Sequence, residues 1–535
     1  MKTTILAASI FISLFSFSQK QPKLVIGIVV DQMRYDYLIR FKDRIGENGF
    51  KRLMKGMNCV DAHYNYVPTF TGPGHASIYT GFTPSENGIV GNAWYSREEK
   101  EVINCVGDSK VKTVGSESKY GLYSPKNLQK STMMEMLTTA TKGKSVSVSF
   151  KNRGAILPAG KTSDGVFWFD YTNGNFITSS HYAEKLPEWA EKFNKQKIVD
   201  AYVDSTWRTF YPIDTYKKGR TDDNNFEVAL NHGKPVFPYN MKELSKDKNL
   251  YELFSFTPWA NQFLLNFAME AIIAEGLGKD EQTDFLNISI SSTDIAGHMF
   301  GPYSIEIEDM YIRLDQSLEQ LFMVLDQQVG EENYVIFLTA DHGVVSNPDY
   351  LKDQGKQGGF VEIPALKDRL EADYLRKFKA NGFITEIKNN NIYFNEKALK
   401  ARKLSMQKVL FETKQFLFKQ EGIEVVFERD SLMQNEQKDH KAKMVKMGVN
   451  ERSGEMIFLT KHGYLPIDKK ASEYRGTSHG SVWEYDTHVP LLFYGNGIPT
   501  GIRKEKTEIT DVAPTILNYL NIQTGDLPGT KIKLK

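Results

Sequence analysis

Four short apolar runs along the chain have the length and composition of buried β-strands. They occupy residues 24–30, 285–290, 334–338 and 489–494, and they are rich in β-branched or aromatic residues. Long stretches with helical potential separate them. Short buried strands that alternate with helices are typical of parallel sheets. The pattern therefore predicts an α/β fold in which helices cover both faces of a largely parallel central sheet.

Polar residues follow the first three of these runs. Asp31 follows the first run, Asp294 follows the second, and the Asp341-His342 pair follows the third. The carboxyl ends of parallel strands meet at one edge of a sheet, and open α/β sheets bind their ligands at that edge. We therefore expect these side chains to share one site, although they are far apart in the sequence.

Two intervals depart from the strand-and-helix pattern. Residues 360–464 are rich in Lys, Glu, Asn and Gln and have no buried-strand run, which predicts an inserted cap. Residues 162–256 are rich in Trp, Tyr, Asn and Asp, which predicts a second excursion over the face that carries the site. No internal repeat is present. We therefore predict a single catalytic domain at residues 19–535, with these two insertions.

Composition and charge narrow the class of partner. Hydrophobic residues make up 41% of the 535 positions, which is enough for a sizeable core. The 67 basic and 66 acidic residues leave a formal net charge of +1. Such a balance gives no electrostatic argument for a nucleic acid or an anionic membrane as a specific partner. Any site for an anion must be local.

The first residues have the pattern of a signal peptide. Lys2 supplies the positive charge, residues 5–17 are mostly apolar, and Ser16 and Ser18 place small residues where a signal peptidase cleaves. We expect cleavage after Ser18 and a periplasmic or secreted protein. The alternative is a membrane anchor, but the apolar stretch is shorter than the roughly 20 residues that span a bilayer. A lipoprotein would need a Cys at the cleavage point.

The two cysteines, Cys59 and Cys105, leave two alternatives open. They form a disulfide in an oxidising compartment, or they are two separate buried thiols. Neither has the spacing of a metal ligand, which argues against a thiolate zinc site.

Carboxylate and imidazole side chains occur at three places in the sequence that suit metal binding: two Asp-His pairs and one loop with a His. Asp294 and His298 are four residues apart, so they face the same way on one helical turn. Asp341 and His342 are adjacent, and His479 lies in a loop of small residues at 476–480. Each feature alone is commonly structural, but mixed carboxylate and imidazole ligation suits zinc. Together they predict a metal site.

Thr71 is the candidate nucleophile. It precedes a Gly-Pro-Gly turn that leads into a predicted helix, where free N–H groups and the positive end of the helix dipole favour an anion. A hydroxyl in this place can be activated by a metal and attack a phosphate. An isolated Thr there would be an ordinary N-cap. We interpret the nearby His75 as a packing or supporting residue.

The ordered set of motifs resembles the alkaline phosphatase superfamily and, within it, the PafA-type alkaline phosphatases of bacteria. The similarity extends over nearly the whole mature chain. The motifs that carry it are at residues 30–34, 71–75, 91–92, 151–153, 292–298, 340–343, 477–480 and 511–517.

The resemblance implies a role for each of ten residues. The first of two zinc ions would be held by Asp294, His298 and His479. The second would be held by Asp31, Asp341, His342 and the Thr71 oxygen. Thr71 would become a phosphothreonine, and Asn92, Lys151 and Arg153 would face the non-bridging oxygens of the phosphate. The implied enzyme is a broadly specific phosphate monoester hydrolase that acts on small molecules, without a membrane anchor and as a monomer.

Four other functions compete with this hypothesis. A phosphodiesterase or nucleotide pyrophosphatase of the same superfamily would lack the Lys-x-Arg pair that Lys151 and Arg153 form. A phosphonate hydrolase is a weaker alternative. A sulfatase needs a Cys or Ser that matures to formylglycine, and Thr71 is neither. A non-catalytic binder of phosphate or metal would show a missing nucleophile or ligand, and none is missing.

Overall fold

The protein is described by a computed structural model that covers residues 21–230, 233–523 and 525–534. The predicted signal peptide at residues 1–18 lies outside the described residues. Within these ranges, no helix combines the length and the apolar character that crossing a bilayer requires.

An eleven-stranded sheet forms the centre of the fold. The strands are β1 (Leu24–Val30), β2 (Met57–His63), β3 (Thr113–Val114), β4 (Ser145–Ser149), β5 (Gly165–Asp170), β6 (Asn175–Ser179), β7 (Asp284–Ile290), β8 (Tyr334–Thr339), β9 (His488–Gly495), β10 (Gly501–Arg503) and β11 (Thr507–Glu508). Their order is β10-β2-β9-β8-β1-β7-β4-β5-β6-β3, and β11 also pairs with β2. The strands β8, β1, β7, β4 and β5 are mutually parallel, as the sequence predicts.

The fourth apolar run differs from the first three in its direction. It forms β9, which pairs antiparallel with β8 through Thr339 and Leu491. The start of β9 therefore lies at the sheet edge where β1, β7 and β8 end. Apolar composition does not report strand direction, so the sequence could not separate this run from the others.

Two groups of helices pack around the sheet. The helices α1 (Thr71–Thr80), α2 (Asn152–Ala159) and α6 (Val512–Tyr519) belong to one group, together with Met133–Thr141. The second group contains α3 (Pro258–Glu275), α4 (Ser292–Phe300) and α5 (Ile305–Gln328). Shorter helices lie at Asp36–Arg40, Phe50–Met54, Pro84–Asn87, Glu188–Lys195, Ile198–Ala201, Met241–Leu244, Leu250–Ser255, Pro348–Asp353 and Glu484–Thr487. The predicted α/β fold with a helix-flanked central sheet is confirmed.

The predicted excursion at residues 162–256 is wrong at its N-terminal end. Residues 165–179 form β5 and β6, which extend the central sheet on the side of β4. Aromatic composition here reflects sheet burial, because Trp168 and Phe169 lie in the core. The later part of the interval consists of short helices and loops.

The interval from 360 to 464 contains a sheet of its own. Its strands are, in spatial order, Ile384–Lys388, Asn391–Phe394, Met456–Thr460 and Ile423–Glu428. Its helices are Ile363–Phe378, Glu396–Ala401, Met406–Leu417, Arg429–Gln434 and His440–Gly448. A separate hydrophobic cluster that includes Leu370 and Phe458 holds the sheet and the first three helices together. The last two helices pack in another cluster with Val67 and Ile457. The expectation that this interval has no buried strands is therefore wrong, because two of its strands are buried but only four or five residues long.

Small two-stranded sheets complete the fold. They pair Ala93–Ser96 with Glu101–Asn104, Thr206–Trp207 with Tyr239–Asn240, and Gly359–Glu362 with Tyr464–Ile467. The hairpin tip at Asn389 reaches the first of these sheets, where its Nδ2 donates to the carbonyl of Ala93 at 2.7 Å.

Cys59 and Cys105 are both buried free thiols. They belong to different hydrophobic clusters, since Cys59 lies in the main core and Cys105 packs near Trp94 and Trp168. Of the two alternatives that the sequence leaves open, the structure has the separate thiols.

Candidate active site

Loops at one edge of the sheet bring the predicted metal ligands together. Asp31 directly follows β1, and α4, which begins just after β7, carries Asp294 and His298. Asp341 and His342 follow β8, and the loop before β9 supplies His479. Because β9 runs antiparallel to its neighbour, the residues before it reach the same edge as the residues after the parallel strands.

Two groups of side chains have ligand atoms that all lie within 4.8 Å of one another. The first group is Asp294, His298 and His479, and the second is Asp31, Asp294 and His342. In the first group, Asp294 Oδ1 is 3.2 Å from His298 Nε2 and 3.5 Å from His479 Nε2. In the second, Asp31 Oδ1 is 3.4 Å from His342 Nε2. Asp294 therefore belongs to both groups.

Backbone carbonyls hold each of the three histidine rings by the same nitrogen. His298 Nδ1 is 2.8 Å from the carbonyl of Thr477, and His479 Nδ1 is 2.7 Å from that of Thr69. His342 Nδ1 is 2.9 Å from the carbonyl of Gly343. A carbonyl only accepts, so Nδ1 carries a proton, and a neutral ring then has its Nε2 lone pair toward the carboxylates. This is the usual way in which a protein orients a histidine ligand for a metal.

Asp341 lies beside the two groups without belonging to either. Its Oδ1 accepts a hydrogen bond from the backbone N–H of Gln32 at 3.1 Å, and its Oδ2 is 3.6 Å from His342 Nε2. The same Oδ2 is 3.5 Å from Nδ1 of the buried His75. His75 Nδ1 is also 2.9 Å from the carbonyl of Thr71, which ties this ring to the start of α1.

The donor set fits a divalent cation. Asp31 Oδ1, Asp341 Oδ2 and His342 Nε2 are buried and have no hydrogen-bond partner among the described residues. Buried polar atoms without partners are costly, and a metal ion satisfies them. Carboxylate oxygens mixed with imidazole nitrogens are ligands that suit zinc.

Burial sets the protonation of most of these groups. It lowers the pKa of His342 to about 3, and burial together with the neighbouring His342 lowers the pKa of His479 well below its usual value. Burial raises the pKa of Asp341 to about 6 and that of Asp31 well above its ordinary range. The His342 and His479 imidazoles are therefore neutral, whereas burial of His298 is outweighed by the charge of Asp294, which raises the pKa of His298. Asp31 and Asp341 need a positive partner to ionise.

Asp294 is the exception in this cluster. Burial raises its pKa, but the charges of His298 and Lys151 outweigh burial and bring the pKa of Asp294 well below its ordinary value. Asp294 is therefore ionised at the point where the two groups of ligands meet.

Lys151 lies among the carboxylates. Its Nζ donates to Asp31 Oδ2 at 2.7 Å and also to Asp294 Oδ2. The resemblance places this residue at the phosphate instead. The ammonium here neutralises the two carboxylates that a divalent cation would otherwise bind.

The other predicted phosphate-binding residues surround the start of α1. Thr71 is the first residue of this helix and is 1% exposed. Asn92 Oδ1 accepts a hydrogen bond from the Gly72 N–H at 2.6 Å, which places Asn92 beside Thr71. Arg153 lies at the start of α2, and its Nε is buried without a hydrogen-bond partner among the described residues.

Two residues at the site were not predicted from the sequence. Gln32 Nε2 donates to Asp294 Oδ1 at 2.6 Å, and its position directly after Asp31 was the available signal. Asp486 lies two residues before β9 and accepts hydrogen bonds from the loop that carries His479. It could have been found only if the antiparallel direction of β9 had been known.

Comparisons with known proteins agree with this fold. The family model for type I phosphodiesterases and nucleotide pyrophosphatases matches residues 25–483. The chain belongs to this family.

Individual relatives match over nearly the full length. The alkaline phosphatase PafA of Elizabethkingia meningoseptica is 40% identical over 94% of this chain and 92% of its own. A protein of Myroides odoratus named as a calcium-transporting ATPase is 38% identical over 98% of this chain and 96% of its own. The crystal structure of wild-type PafA has a TM-score of 0.91 and 38% identity, covering 96% of this chain and 98% of that one. The resemblance to PafA-type alkaline phosphatases is confirmed.

Proposed function

We propose that this chain hydrolyses phosphate monoesters through a covalent phosphothreonine at Thr71, with two zinc ions held beside it. The chain is a phosphatase of the alkaline phosphatase kind, given its similarity to PafA over nearly its full length. The proposal concerns the identity of the metal, the role of each residue and the broad choice of substrate.

The observation that carries the proposal is the convergence of Nε2 lone pairs and carboxylates next to a helix N-terminus. His298 and His479 present their Nε2 atoms to Asp294, and His342 presents its own to Asp31. Thr71 begins α1 beside Asn92. A site with this chemistry suits a phosphate and two divalent cations.

Residues of this chain would hold the two ions in separate places. Asp294, His298 and His479 would hold one, and Asp31, Asp341, His342 and the Thr71 oxygen would hold the other. Such ions supply Lewis acidity, which lowers the pKa of a hydroxyl nucleophile and stabilises negative charge on a leaving oxygen.

Thr71 would carry the covalent step. Its Oγ1 attacks phosphorus after giving its proton to water, and the P–O bond to the leaving oxygen breaks as the new P–O bond forms. The leaving alkoxide then takes a proton from water to become the alcohol. Thr71 lies at the N-terminus of α1, where the positive end of the helix dipole would stabilise an anion. Water then attacks the phosphothreonine, restores the Thr71 hydroxyl and releases inorganic phosphate.

Lys151, Arg153 and Asn92 would bind the non-bridging oxygens. Asp31 and Asp294, which accept hydrogen bonds from Lys151 Nζ, would hold the cations in the loaded enzyme, and Lys151 would then be available to the phosphate. A monoester carries two negative charges, and a loose transition state keeps that charge on the transferred group. Fixed cations and donors are therefore worth several kcal/mol in this place.

The test compares kcat/KM for an aryl phosphate monoester with kcat/KM for its methyl diester, which has the same leaving group. We expect zinc-loaded wild type to favour the monoester by several orders of magnitude. The Lys151→Ala/Arg153→Ala double variant should lose far more monoesterase than diesterase activity. Lys161→Ala, which removes an exposed charge nearby, is the matched control and should change neither rate.

Three results would contradict parts of the proposal. A preference for the diester would move the chain to the phosphodiesterase function of its family. Equal losses on both substrates would mean that Lys151 and Arg153 attract anions in general. Full activity after exhaustive chelation would end the two-zinc model. Phosphate release from ATP should be measured alongside, because the Myroides relative is named as an ATPase.

The cellular place of the reaction follows from the sequence. The signal-peptide pattern at residues 1–18 supports a role in releasing phosphate outside the inner membrane, by a monomeric enzyme. A mature N-terminus near residue 19 in protein from the periplasm or medium is the expected result. Full-length protein in the cytoplasm would contradict it.

A further inference from the structure

One carboxylate closes the loop that carries His479. The Oδ2 atom of Asp486 accepts hydrogen bonds from the backbone N–H groups of Gly480 at 3.0 Å and Ser481 at 2.8 Å. It also accepts from the Ser481 hydroxyl at 2.6 Å. The turn directly after His479 is therefore fixed by a single side chain that is fully buried.

The backbone around Asp486 holds a second loop of the site. The Asp486 carbonyl accepts a hydrogen bond from the Gly343 N–H at 2.7 Å, and the Tyr485 carbonyl accepts one from Val344 at 2.8 Å. Gly343 directly follows His342. The same short segment therefore fixes the loops of His342 and His479.

The residues before Thr71 are also hydrogen-bonded to the loop that carries His479. The Thr69 hydroxyl donates to the Ser481 carbonyl at 2.9 Å, and the Thr69 carbonyl is the partner of His479 Nδ1. Thr69 lies two residues before Thr71. The rings of His342 and His479 stack with centroids 3.4 Å apart, so a small shift of either loop changes the separation of both Nε2 atoms.

We propose that Asp486 is a positioning residue that sets the spacing of His342 and His479 and so tunes the affinity of both metal sites. The inference rests on the proposed function, because it assigns these histidines to metals. Asp486 touches neither metal nor substrate in this account. It acts through the Gly480–Ser481 turn and through the backbone that holds Gly343.

The closest alternative is that Asp486 only stabilises the fold. A buried carboxylate that accepts backbone N–H groups does this in many proteins, and the chain contains a matched example. Asp315 is buried on α5 and accepts the N–H groups of Gly46 and Phe50, each at 2.7 Å. Neither of these residues belongs to the metal cluster, so Asp315 separates general stability from metal positioning.

The experiment measures zinc affinity by competition with a chromophoric chelator, together with thermal unfolding of the metal-free proteins. We expect Asp486→Ala to weaken zinc binding about 10- to 100-fold, the range seen when residues that orient metal ligands are lost. Asp486→Asn keeps an oxygen that accepts the two N–H groups, so it should restore most of the affinity. Asp315→Ala should lower the unfolding temperature but leave zinc affinity within about twofold.

If Asp486→Ala does not fold, Ser481→Ala tests the positioning role instead. It removes one of the three hydrogen bonds and should weaken zinc binding by less than Asp486→Ala does. Wild-type zinc affinity in folded Asp486→Ala, or in Ser481→Ala if Asp486→Ala does not fold, would overturn the inference. Equal losses in Asp486→Ala and Asp315→Ala would also overturn it, because the effect would then be general instability.

Failure of the inference and failure of the proposed function are distinguishable. Zinc binding and monoesterase activity that survive in every Asp486 variant reject only the positioning role. A wild-type protein that binds no zinc rejects the positioning role and the proposed metal site together.

Discussion

Thr71 combines three properties at one position. It begins α1, it is almost fully buried, and the N–H of the next residue is held by Asn92. An ordinary N-cap residue would precede the helix, and that place belongs to Phe70, which offers no side-chain hydrogen bond. The hydroxyl of Thr71 is therefore not needed to cap the helix.

Replacing this hydroxyl should remove the covalent step. We expect Thr71→Ala to lower kcat/KM for a phosphate monoester by at least about 10³-fold, because the attacking oxygen is absent. Thr71→Ser keeps a hydroxyl and should retain part of the activity. Mass spectrometry of acid-quenched enzyme should find phosphate on the peptide with Thr71 in wild type and on no peptide of Thr71→Ala.

Two results with Thr71→Ala would contradict the assignment of Thr71 as the nucleophile. A phosphopeptide elsewhere in the chain would assign the nucleophile to another residue. Near-wild-type turnover without any phosphopeptide would indicate direct attack by water.

Residue types in an ordered series of motifs were the most informative part of the sequence. They named the six carboxylate and histidine ligands that the structure gathers at one edge of the sheet. They did not indicate that Lys151 lies between Asp31 and Asp294, because the balance of charge in a buried cluster depends on distances. Nor did they show that Asp294 is common to both groups of ligands.

At the scale of elements, α1 packs closely against the loop after β8, which brings the helix that begins at Thr71 close to Asp341 and His342. A Cβ at Gly74 would lie 2.4 Å from the backbone oxygen of Asp341, which no real contact allows. The absence of a side chain at this position lets the helix approach the backbone beside His342.

Gly74→Ala should therefore destabilise the protein, although alanine has a higher helix propensity than glycine. Alanine would favour an exposed helix by about 1 kcal/mol over glycine, but overpacking here should cost about 1–3 kcal/mol. We expect lower thermal stability and weaker zinc binding, since Asp341 and His342 must move. Gly501→Ala is the control, because its Cβ position has no heavy atom within 4 Å. Equal or higher stability in Gly74→Ala would show that the two elements do not pack this tightly.

The direction of strand β9 could not be predicted from the sequence. Its apolar residues identify a buried strand, but direction depends on the connection that leads into it. That connection contains the cap and the His479 loop, and it returns the chain to the sheet antiparallel to β8. Asp486 was missed for this reason, since a parallel strand would have placed it at the opposite edge.

Across the whole molecule, stability should depend on buried acids that do not belong to the cluster of predicted metal ligands. Burial raises the pKa of Glu227 to about 8, although the nearby Arg220 opposes this. The folded state then binds more protons than the unfolded state between pH 4.5 and about 8, so stability falls as pH rises through this window. Glu306 is buried nearby, and burial raises its pKa in the same direction.

Glu227→Gln should flatten this dependence on pH. The loss of unfolding free energy between pH 5 and pH 8 should shrink by on the order of 2–4 kcal/mol relative to wild type. Urea unfolding at several pH values measures it, and comparing variants at the same metal concentration cancels the contribution of zinc. Glu98→Gln at an exposed position is the control. An unchanged pH profile in Glu227→Gln would mean that Glu227 is ionised in the folded protein.

The ion pairs of Lys151 have a consequence for how substitutions at the site are interpreted. One ammonium donates to both Asp31 and Asp294. Removing it therefore changes the electrostatic surroundings of two carboxylates at once. A loss of activity in a Lys151 variant then contains two contributions, one from contacts with the substrate and one from the charge balance of the buried acids. The Arg153→Ala single variant separates the two, because Arg153 has no such ion pair among the described residues.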